Sequence, residues 1–320
     1  MPIDRSTAIL QTQSLTKRYG NHVALDDLNL AVHAGEIFGY IGPNGAGKTT
    51  TFRILAGLLD PTSGKAVVAG QDVTSNKDLI KRAVGYLPDN FGIYPTLRVW
   101  EYLDFFAAAY RIPKKQRKDR IDYCLAIANA EEFRDKLLGA LSRGMKQRVG
   151  IAKTLLHDPR VLILDEPAAT IDPRARVEMR KLLRSLADLG KAVLVSSHIL
   201  PELADVCDTV GILSGGRMVA SGPVREILRT VRQRRLLEVQ VLSDRQQARE
   251  VLSDAPGEWE AIPDADASDN GDRGGVLRYE VHADERQLAE ALRLLLSRGV
   301  SVVSYAEVPA DLEDVFMSLT

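Results

Sequence analysis

Hydrophobic and polar residues follow different periods along the chain, and each period predicts a different element. Residues 9–35 alternate between apolar and polar side chains, which predicts two β-strands. Phe38 to Ile41 form a short apolar run that leads through a glycine-rich loop into an amphipathic segment, Thr50 to Leu59. This predicts a strand, a loop and a helix. Residues from about 90 to 157 carry a helical pattern, with an aromatic face on Val99 to Tyr110. The first half therefore predicts strands followed by a helical insert.

Later apolar runs predict that the sheet resumes. Val161 to Leu164 and Ala192 to Val195 are consecutive aliphatic residues, which is typical of strands buried on both faces of a parallel sheet. Thr209 to Leu213 and Arg217 to Ser221 flank Ser-Gly-Gly and predict a hairpin. We therefore expect an α/β core, followed by a basic linker helix at 223–235.

The pattern changes after residue 235 and predicts a second, smaller domain. Its expected elements are a strand at Leu237–Val241, a helix at Asp244–Leu252, two strands flanking the polar loop Asp264–Gly275, a helix at Glu285–Arg298, a strand at Val300–Tyr305 and a last helix ending at Thr320. This order does not repeat the first half, so we expect a small α+β domain at 236–320. The first domain is expected at 1–222, with a helical subdomain at about 90–157.

The loop after the first apolar strand reads Gly-Pro-Asn-Gly-Ala-Gly-Lys-Thr, which predicts a cradle for the phosphates of ATP or GTP. Gly45 and Gly47 can adopt backbone conformations closed to other residues, so that consecutive N–H groups converge on a phosphate at a helix N-terminus. Lys48 would contact the β- and γ-phosphates, and Thr49 would place its hydroxyl on Mg²⁺. The residues expected at the nucleotide are Gly42, Pro43, Asn44, Gly45, Ala46, Gly47, Lys48, Thr49 and Thr50.

Polar side chains follow both aliphatic strands, at the edge where open α/β sheets bind ligands. Asp165 directly follows the first of these strands and is the candidate Mg²⁺ ligand. Glu166 is next in sequence and would act as general base on the attacking water. His198 follows the second strand and is a candidate γ-phosphate sensor, although a histidine by itself is more often a surface or core residue.

A second anion site is predicted at the start of the helix in Leu-Ser-Arg-Gly-Met-Lys-Gln-Arg. Ser142 is expected to cap this helix, which leaves free N–H groups and the positive end of the helix dipole. The chain therefore carries a second anion site in addition to its phosphate loop.

The order of these segments resembles the ATP-binding subunit of an ABC transporter over roughly residues 8–222. The resemblance assigns Gly42–Thr49 to the Walker A loop, Leu141–Gln147 to the family signature, Val161–Glu166 to the Walker B strand, Thr170–Asp172 to the D-loop and His198 to the switch histidine. It implies a P-loop NTPase core with an antiparallel β subdomain and a helical insert. Tyr19 matches the aromatic residue that stacks on adenine, although an isolated tyrosine near a strand end is more often a half-buried strand residue.

The resemblance also implies cofactors and a partner. The cofactors are ATP and Mg²⁺, and the activity is ATP hydrolysis. Two copies are expected to bind head to tail, so that the helix starting at Ser142 completes the ATP site of the second copy. Ser142, Gly144 and Asp172 are therefore among the residues expected at the nucleotide.

The chain departs from the family pattern in two motifs, the signature and the Q-loop. The signature usually reads Leu-Ser-Gly-Gly-Gln, whereas this chain has Arg143 and Met145. Ser142 and Gly144 are kept, so we expect its function to be retained. Asp89 stands where the family has the Q-loop glutamine. A carboxylate can hold Mg²⁺ at least as well as an amide oxygen but cannot donate a hydrogen bond, so Asp89 is a further candidate metal ligand.

Composition narrows the possible functions. The 320 residues carry a formal net charge of -1, with a pI near 6.6, so we expect no nucleic-acid partner. The basic run Arg111 to Lys118 is expected to begin a solvated helix. Cys124 and Cys207 lack metal-ligand spacing, which predicts reduced core residues in a cytosolic protein. No apolar stretch approaches the ~20 residues of a membrane span, and the N-terminus lacks the apolar core of a secretory signal.

These features favour a cytoplasmic ATPase, peripheral on the cytoplasmic face of the membrane, that drives a separate integral membrane permease. The closing segment resembles the accessory domain of ATPases serving ABC-2 exporters, so export is the expected direction. Phe91 to Tyr94, Trp100 and Tyr102 are expected to form a groove for a cytoplasmic helix of the permease, with one or two of these aromatic residues in the core. Two alternatives stay open: a soluble ABC ATPase acting on ribosomes or nucleic acid, and an importer ATPase with a regulatory tail, typically all-β.

Overall fold

The computed structural model describes residues 8–169, 171–198, 203, 205–227, 235–242, 245–262 and 275–308. The chain divides into two compact units, Met1–Val224 and Arg225–Thr320. Four predicted features fall wholly or mostly outside the described residues: the linker helix, Thr170 of the D-loop, the polar loop of the second domain and the last helix. Each unit contains its own hydrophobic core.

The first unit alternates strands and helices. In chain order its elements are β1 Ala8–Tyr19, β2 His22–His33, β3 Ile37–Ile41, α1 Lys48–Leu55, β4 Ser63–Val68, β5 Gln71–Asp72, α2 Lys77–Ala83, β6 Val84–Leu87, α3 Val99–Ala109, α4 Lys114–Ile127, α5 Arg143–Leu155, β7 Val161–Leu164, α6 Pro173–Asp188, β8 Ala192–Ser197, β9 Thr209–Ser214 and β10 Arg217–Pro223. The strands predicted from alternation over residues 9–35 are confirmed as β1 and β2, and the hairpin as β9 and β10.

Two sheets organise this unit. An antiparallel sheet has the order β2-β1-β4-β5. The other sheet has the order β10-β9-β3-β8-β7-β6, in which β10 pairs antiparallel with β9 and the remaining neighbours pair in parallel. Every residue of β3, β7 and β8 is buried, as expected for strands covered on both faces. Because these strands run parallel, their carboxyl ends meet at one edge of the sheet.

Helices α3, α4 and α5 pack against one another and form the predicted helical insert. Helix α5 begins at Arg143 with Ser142 as its N-cap, because the Ser142 hydroxyl accepts a hydrogen bond from the Met145 N–H at 3.3 Å. Helix α4 begins at Lys114, within the basic run, and most of its first turns are exposed. The insert thus presents the capped start of α5 as a defined helix end.

Helix α1 is shorter than the amphipathic pattern predicts. It begins at Lys48 and ends at Leu55, whereas the pattern runs on to Leu59. The chain leaves the helix through Gly57, whose φ is +68°, and the N–H groups that follow bond back to carbonyls of the last turn. A left-handed glycine with such bonds is a common helix ending. Leu59 still packs on the core from the following loop, which explains why it continued the apolar pattern.

The second unit is a small α+β fold. Its elements are β11 Arg235–Val241, α7 Arg245–Ser253, β12 Glu258–Ala261, β13 Gly275–His282, α8 Glu285–Ser297 and β14 Val302–Val308. The strands form an antiparallel sheet of order β12-β13-β11-β14. Val239 on the sheet, Leu252 on α7 and Leu295 on α8 belong to one buried core. Within the described ranges, no helix combines the length and the apolar content that a membrane crossing requires.

Candidate active site

The loop between β3 and α1 has the shape that the glycine pattern predicts. Gly45 and Gly47 have φ values of +83° and +108°, in the left-handed region that favours glycine. At Gly47 a Cβ atom would also lie 2.6 Å from the Ala24 carbonyl oxygen, so a side chain would not fit. Gly47 is the residue that precedes the first turn of α1. The loop therefore opens onto a helix N-terminus, where backbone N–H groups favour an anion.

Lys48 places a cation beside this loop. Its side chain is 7% exposed, and its Nζ donates hydrogen bonds to the carbonyl oxygens of Gly42 at 2.5 Å and Pro43 at 3.2 Å. The same Nζ lies 3.5 Å from Oε1 of Glu166. These contacts hold the ammonium group at the phosphate loop with its charge balanced by a carboxylate.

Asp165 lies at the carboxyl end of β7 and is 3% exposed. Its Oδ2 accepts a hydrogen bond from the Thr49 hydroxyl at 2.9 Å, and its Oδ1 accepts one from the Ser196 hydroxyl at 2.7 Å. Burial first, and the Asp165 charge second, raise the pKa of Tyr86, on the neighbouring strand β6, to about 12. The structure thus brings together two of the three predicted metal ligands, Thr49 and Asp165.

Ser196 is a site residue that the sequence interpretation did not assign. Its hydroxyl donates to Asp165 and accepts a hydrogen bond from the Glu166 N–H at 2.9 Å. Strands β7 and β8 pair in parallel with Leu164 opposite Val195, so Ser196 follows directly beside Asp165. The available signal was a serine in a run that is otherwise aliphatic, at the end of a buried strand.

Glu166 joins the two halves of the site. Its Oε2 lies 3.0 Å from Nδ1 of His198, while Oε1 faces Lys48. The backbone of Glu166 has a φ of +51°, which is uncommon for a residue with a Cβ atom. Such strain is found where a side chain must point in one required direction. His198 is 48% exposed, so the pair faces an accessible space.

A cavity of about 340 Å³ connects these groups. Its lining residues are Tyr19, His22, Ala24, Pro43, Asn44, Gly45, Gly47, Lys48, Thr49, Thr50, Asp89, Asp165 and Glu166. Tyr19 is 46% exposed, and the Lys17 ammonium group lies 5.2 Å from the centre of its ring. The cavity therefore runs from an accessible aromatic ring to the phosphate loop and the two carboxylates, as an adenosine with a phosphate chain requires.

Asp89 and Arg143, the two departures from the family pattern, face each other. An Nη2 to Oδ1 distance of 3.6 Å joins them, and both side chains are about half exposed, at 54% for Arg143 and 53% for Asp89. Asp89 also lines the cavity. The loop after β6 is thus tied to the first residue of α5 by an ion pair.

Ser142, Gly144 and Asp172 do not line this cavity. Ser142 and Gly144 lie at the start of α5, and Asp172 caps α6 by accepting a hydrogen bond from the Ala175 N–H at 2.9 Å. Ser142 and Asp172 are exposed. These three predicted nucleotide contacts therefore stand apart from the site of their own chain.

The residues present fit Mg²⁺ only together with a ligand. Within the described residues, no group of three or more histidine, cysteine, aspartate or glutamate side chains could hold a metal ion. Mg²⁺ is usually bound by one or two carboxylates plus substrate phosphates and water. The Thr49 hydroxyl and the Asp165 carboxylate, beside the phosphate loop, are oxygen ligands of that kind.

The aromatic residues predicted to form a groove for the permease differ in their exposure. Tyr102 is fully buried and its hydroxyl donates to the Gly92 carbonyl oxygen at 3.0 Å. Phe91 packs so closely on α5 that a Cβ atom at Gly150 would lie 2.7 Å from its ring. Tyr94 is 53% exposed, and Phe105, which the sequence interpretation missed, is 55% exposed. Their ring centres lie 6.3 Å apart in an edge-to-face arrangement.

The two cysteines are buried and free, as predicted. Burial raises the pKa of the Cys124 thiol to about 11, and it raises that of Cys207 as well. Both thiols therefore stay protonated near neutral pH and take no part in the site.

Comparison with known proteins agrees with this geometry. Residues 25–169 match the ABC transporter family. The bacitracin transport ATP-binding protein BcrA of Bacillus licheniformis is 37% identical over 314 residues, which cover 98% of this chain and 97% of BcrA. The Nod factor export ATP-binding protein I of Cupriavidus metallidurans is 34% identical, and the match covers 98% of each chain.

Solved structures show the same fold. CbiO1 of Clostridium perfringens, part of the transporter complex cbiONQ, has a TM-score of 0.65 and 29% identity, covering 71% of this chain and 94% of that chain. A dimeric ATP-binding cassette in a post-hydrolysis state with ADP and Pi has a TM-score of 0.61 and 26% identity, covering 68% and 99%. The chain therefore belongs to the ABC transporter family, as one of its ATP-binding, ATP-hydrolysing proteins.

Proposed function

We propose that this chain hydrolyses ATP with Mg²⁺ to drive a separate membrane permease, and that the permease exports its cargo. One observation carries the ATPase part: Lys48 and His198 converge on Glu166, while Thr49 and Ser196 converge on Asp165, at the edge of the same sheet. Two carboxylates with different proposed roles, Glu166 as base and Asp165 as metal ligand, thus lie next to the phosphate loop.

In this mechanism Lys48 and the loop N–H groups bind the β- and γ-phosphates. Thr49 and Asp165 would hold Mg²⁺, which would supply charge stabilisation to the phosphates. Glu166 accepts a proton from the water that attacks the γ-phosphorus, as the bond to the ADP oxygen breaks. His198 lies 3.0 Å from the Glu166 carboxylate and, in this proposal, contacts the γ-phosphate. Asp89, at the rim of the cavity, is a further Mg²⁺ ligand in this proposal.

The second nucleotide contact comes from another copy of the chain. Ser142, Gly144 and Asp172 stand outside the cavity of their own chain, and Ser142 and Asp172 are exposed. The α5 N-terminus favours an anion, since its first N–H groups have no partner within the helix. Head-to-tail pairing would bring it to the γ-phosphate of the partner. The solved post-hydrolysis relative is itself dimeric.

The membrane partner is supported by an exposed aromatic surface. We define the aromatic docking surface as Tyr94, Phe105 and Phe106, which pack around the buried ring of Tyr102. Neighbouring ring centres lie 4.9 to 6.4 Å apart, and Tyr94 and Phe105 expose about half of their area. Exposed, packed aromatic side chains are typical anchors of protein interfaces. We propose that a cytoplasmic helix of the permease binds here, which places the chain on the cytoplasmic face of the membrane.

Export is supported by the relatives and by the second unit. Two relatives that match nearly the whole chain are named for bacitracin transport and Nod factor export. In its described residues, the second unit combines an antiparallel sheet with two helices, whereas the regulatory tail of an importer is typically all-β. The importer alternative is therefore disfavoured.

The catalytic assignment predicts separable defects. Glu166→Gln keeps the shape of the side chain but removes the base, so turnover should fall by about 10²-fold or more while ATP binding is kept. Lys48→Ala removes charge-assisted contacts worth about 1.5–3 kcal/mol each, so nucleotide affinity should fall. Steady-state hydrolysis and equilibrium binding measure the two effects. The exposed Glu132→Gln is the matched control and should behave as wild type. Wild-type turnover of Glu166→Gln would contradict the assignment.

The transporter assignment is tested by isolating the full chain from membranes in a mild detergent. We expect one integral membrane protein to co-purify in a fixed ratio, and mass spectrometry would identify it as the permease. A chain that stays off membranes but binds ribosomes or nucleic acid would replace the transporter proposal with the soluble alternative.

A further inference from the structure

Lys153 is a largely buried cation for which the mechanism has no use. It lies on α5, and its Nζ is 5.3 Å from the ring centre of Phe91 and 5.1 Å from that of Phe106. Among the residues that the structure describes, no hydrogen bond or ion pair involves the Lys153 ammonium group. Burial lowers the pKa of Lys153 below its usual value. Within the described part of the chain, the ammonium group thus contacts two aromatic rings and has no counter-charge.

The carboxylates of the neighbouring helix α3 are engaged elsewhere. Glu101 accepts a hydrogen bond from the Arg98 N–H at 2.7 Å, and Asp104 lies 3.5 Å from Arg117. Neither supplies a counter-charge to Lys153. A cation over an aromatic ring is stabilised by the ring quadrupole, but this replaces only part of its hydration.

Lys153 also borders the aromatic docking surface. The Phe106 ring that it covers packs edge-to-face on Tyr102, with ring centres 4.9 Å apart, and on Phe105, with ring centres 5.2 Å apart. A helix lying on Phe105 and Tyr94 would cover part of the remaining water around the ammonium group. Covering an unpaired cation is costly, whereas covering it with a carboxylate forms a charge pair.

We propose that the permease helix bound at this surface carries an aspartate or glutamate, and that its carboxylate pairs with Lys153. This rests on the proposed function, in which the docking surface receives a permease helix. The aromatic side chains supply contact area, and the charge pair sets the register of the helix and excludes apolar helices that lack an acid. Lys153 is accordingly a specificity residue of the interface.

The test measures binding of the full chain to the permease identified by co-purification, solubilised in detergent micelles. Lys153→Met keeps a flexible apolar stem against the two rings and removes the charge, and affinity should fall by about 30-fold or more. Lys153→Arg keeps the charge and should stay close to wild type. Lys118→Met removes an exposed lysine charge, 73% accessible, and should have little effect.

Two further measurements make the result decisive. Melting temperatures show whether each variant keeps the fold, and Lys153→Glu should lose binding that one acid-to-lysine change in a cytoplasmic helix of the permease restores. If Lys153→Met binds as wild type while Tyr94→Ala with Phe105→Ala does not, the surface docks the permease without the charge pair. If no exchange restores Lys153→Glu, the pairing is likewise wrong. A wild-type chain that binds no permease would instead overturn the proposed function.

Discussion

Asp89 and Arg143 are two substitutions that compensate each other in charge. Each departs from the family pattern, and they form an ion pair in which Arg143 Nη2 lies 3.6 Å from Asp89 Oδ1. Both side chains are half exposed, so the pair is worth no more than about 1 kcal/mol. A contact that weak is easily exchanged for another. Asp89 can therefore leave Arg143 when Mg²⁺ arrives with the nucleotide.

This competition predicts opposite effects on the Mg²⁺ requirement. Asp89→Ala removes an oxygen ligand, so hydrolysis should need a several-fold higher Mg²⁺ concentration, while metal-free nucleotide binding changes less. Arg143→Gly frees Asp89 and should lower the requirement, by no more than about 5-fold given the weak pair. A Mg²⁺ titration of the hydrolysis rate measures both.

The control for this titration is Asp135→Ala, which removes a carboxylate that is 70% exposed and paired with Arg134. When Asp89→Ala is already present, adding Arg143→Gly should not change the Mg²⁺ requirement further, because Arg143 acts on it through Asp89. An unchanged titration for Asp89→Ala would leave this residue as a solvated loop residue.

Much of the site could be predicted because its residues are local in sequence. The phosphate loop and the pair Asp165-Glu166 each directly follow an apolar strand. Ser196 is different, since its role depends on the parallel register of β7 and β8, which no single segment specifies. The ion pair of Asp89 with Arg143 likewise joins residues far apart in the chain. Strand register and long-range side-chain contacts belong to the tertiary structure, so the sequence motifs did not predict them.

Helix α5 begins at a point where sequence and structure agree. Ser142 is its N-cap, and Arg143 and Gly144 are its first two residues. Its capped start lies outside the cavity of its own chain. An exposed helix end of this kind, whose first N–H groups have no acceptor within the helix, is suited to receive an anion from another molecule.

We predict that Ser142→Arg abolishes ATP-dependent dimers. In the Glu166→Gln background, ATP should persist and hold two copies together, whereas the arginine side chain would fill the contact with the partner's γ-phosphate. Light scattering coupled to gel filtration, with and without ATP, measures the mass. Ser185→Arg on α6 is the control, because Ser185 is exposed and lies in the second half of its helix. Monomers in the Glu166→Gln background alone would contradict the dimer.

The boundaries of helices and strands were less predictable than their existence and order. The periodic pattern predicted α1 to Leu59, but the left-handed Gly57 ends it at Leu55. Strand β14 begins at Val302, two residues after the predicted start, because Val300 belongs to the buried core of the preceding turn. In both cases apolar residues pack on the core from outside the element, which periodicity does not distinguish.

At the scale of the molecule, the order of elements predicted both units, while the surface that meets a partner was predicted only in part. Tyr102 is core and Phe105 is exposed, although both lie on the aromatic face of α3. Exposure on a helix depends on which neighbours cover it. Of the four aromatic residues predicted for the groove, Tyr94 stays a proposed anchor of the permease, and the exposed Phe105 joins it.

We predict that Tyr94→Ala with Phe105→Ala releases the chain from its permease. Removing a true anchor should weaken docking by about 2 kcal/mol or more, whereas hydrolysis in solution should persist. Co-purification with membranes and solution ATPase activity are measured on the same preparations. Tyr123→Ala is the matched control, since Tyr123 is 50% exposed but lines a different groove. Unchanged membrane association would move the docking surface elsewhere.

The protected state of both thiols has a practical consequence. Cys124 and Cys207 are buried, and their raised pKa values keep the nucleophilic thiolate scarce. A maleimide or spin label should therefore react with an added surface cysteine in preference to either native one. Fluorophores introduced this way at the exposed positions Thr96 and Ala140, close in sequence to Tyr94 and Ser142, could report permease docking and subunit closure while both of those residues are kept.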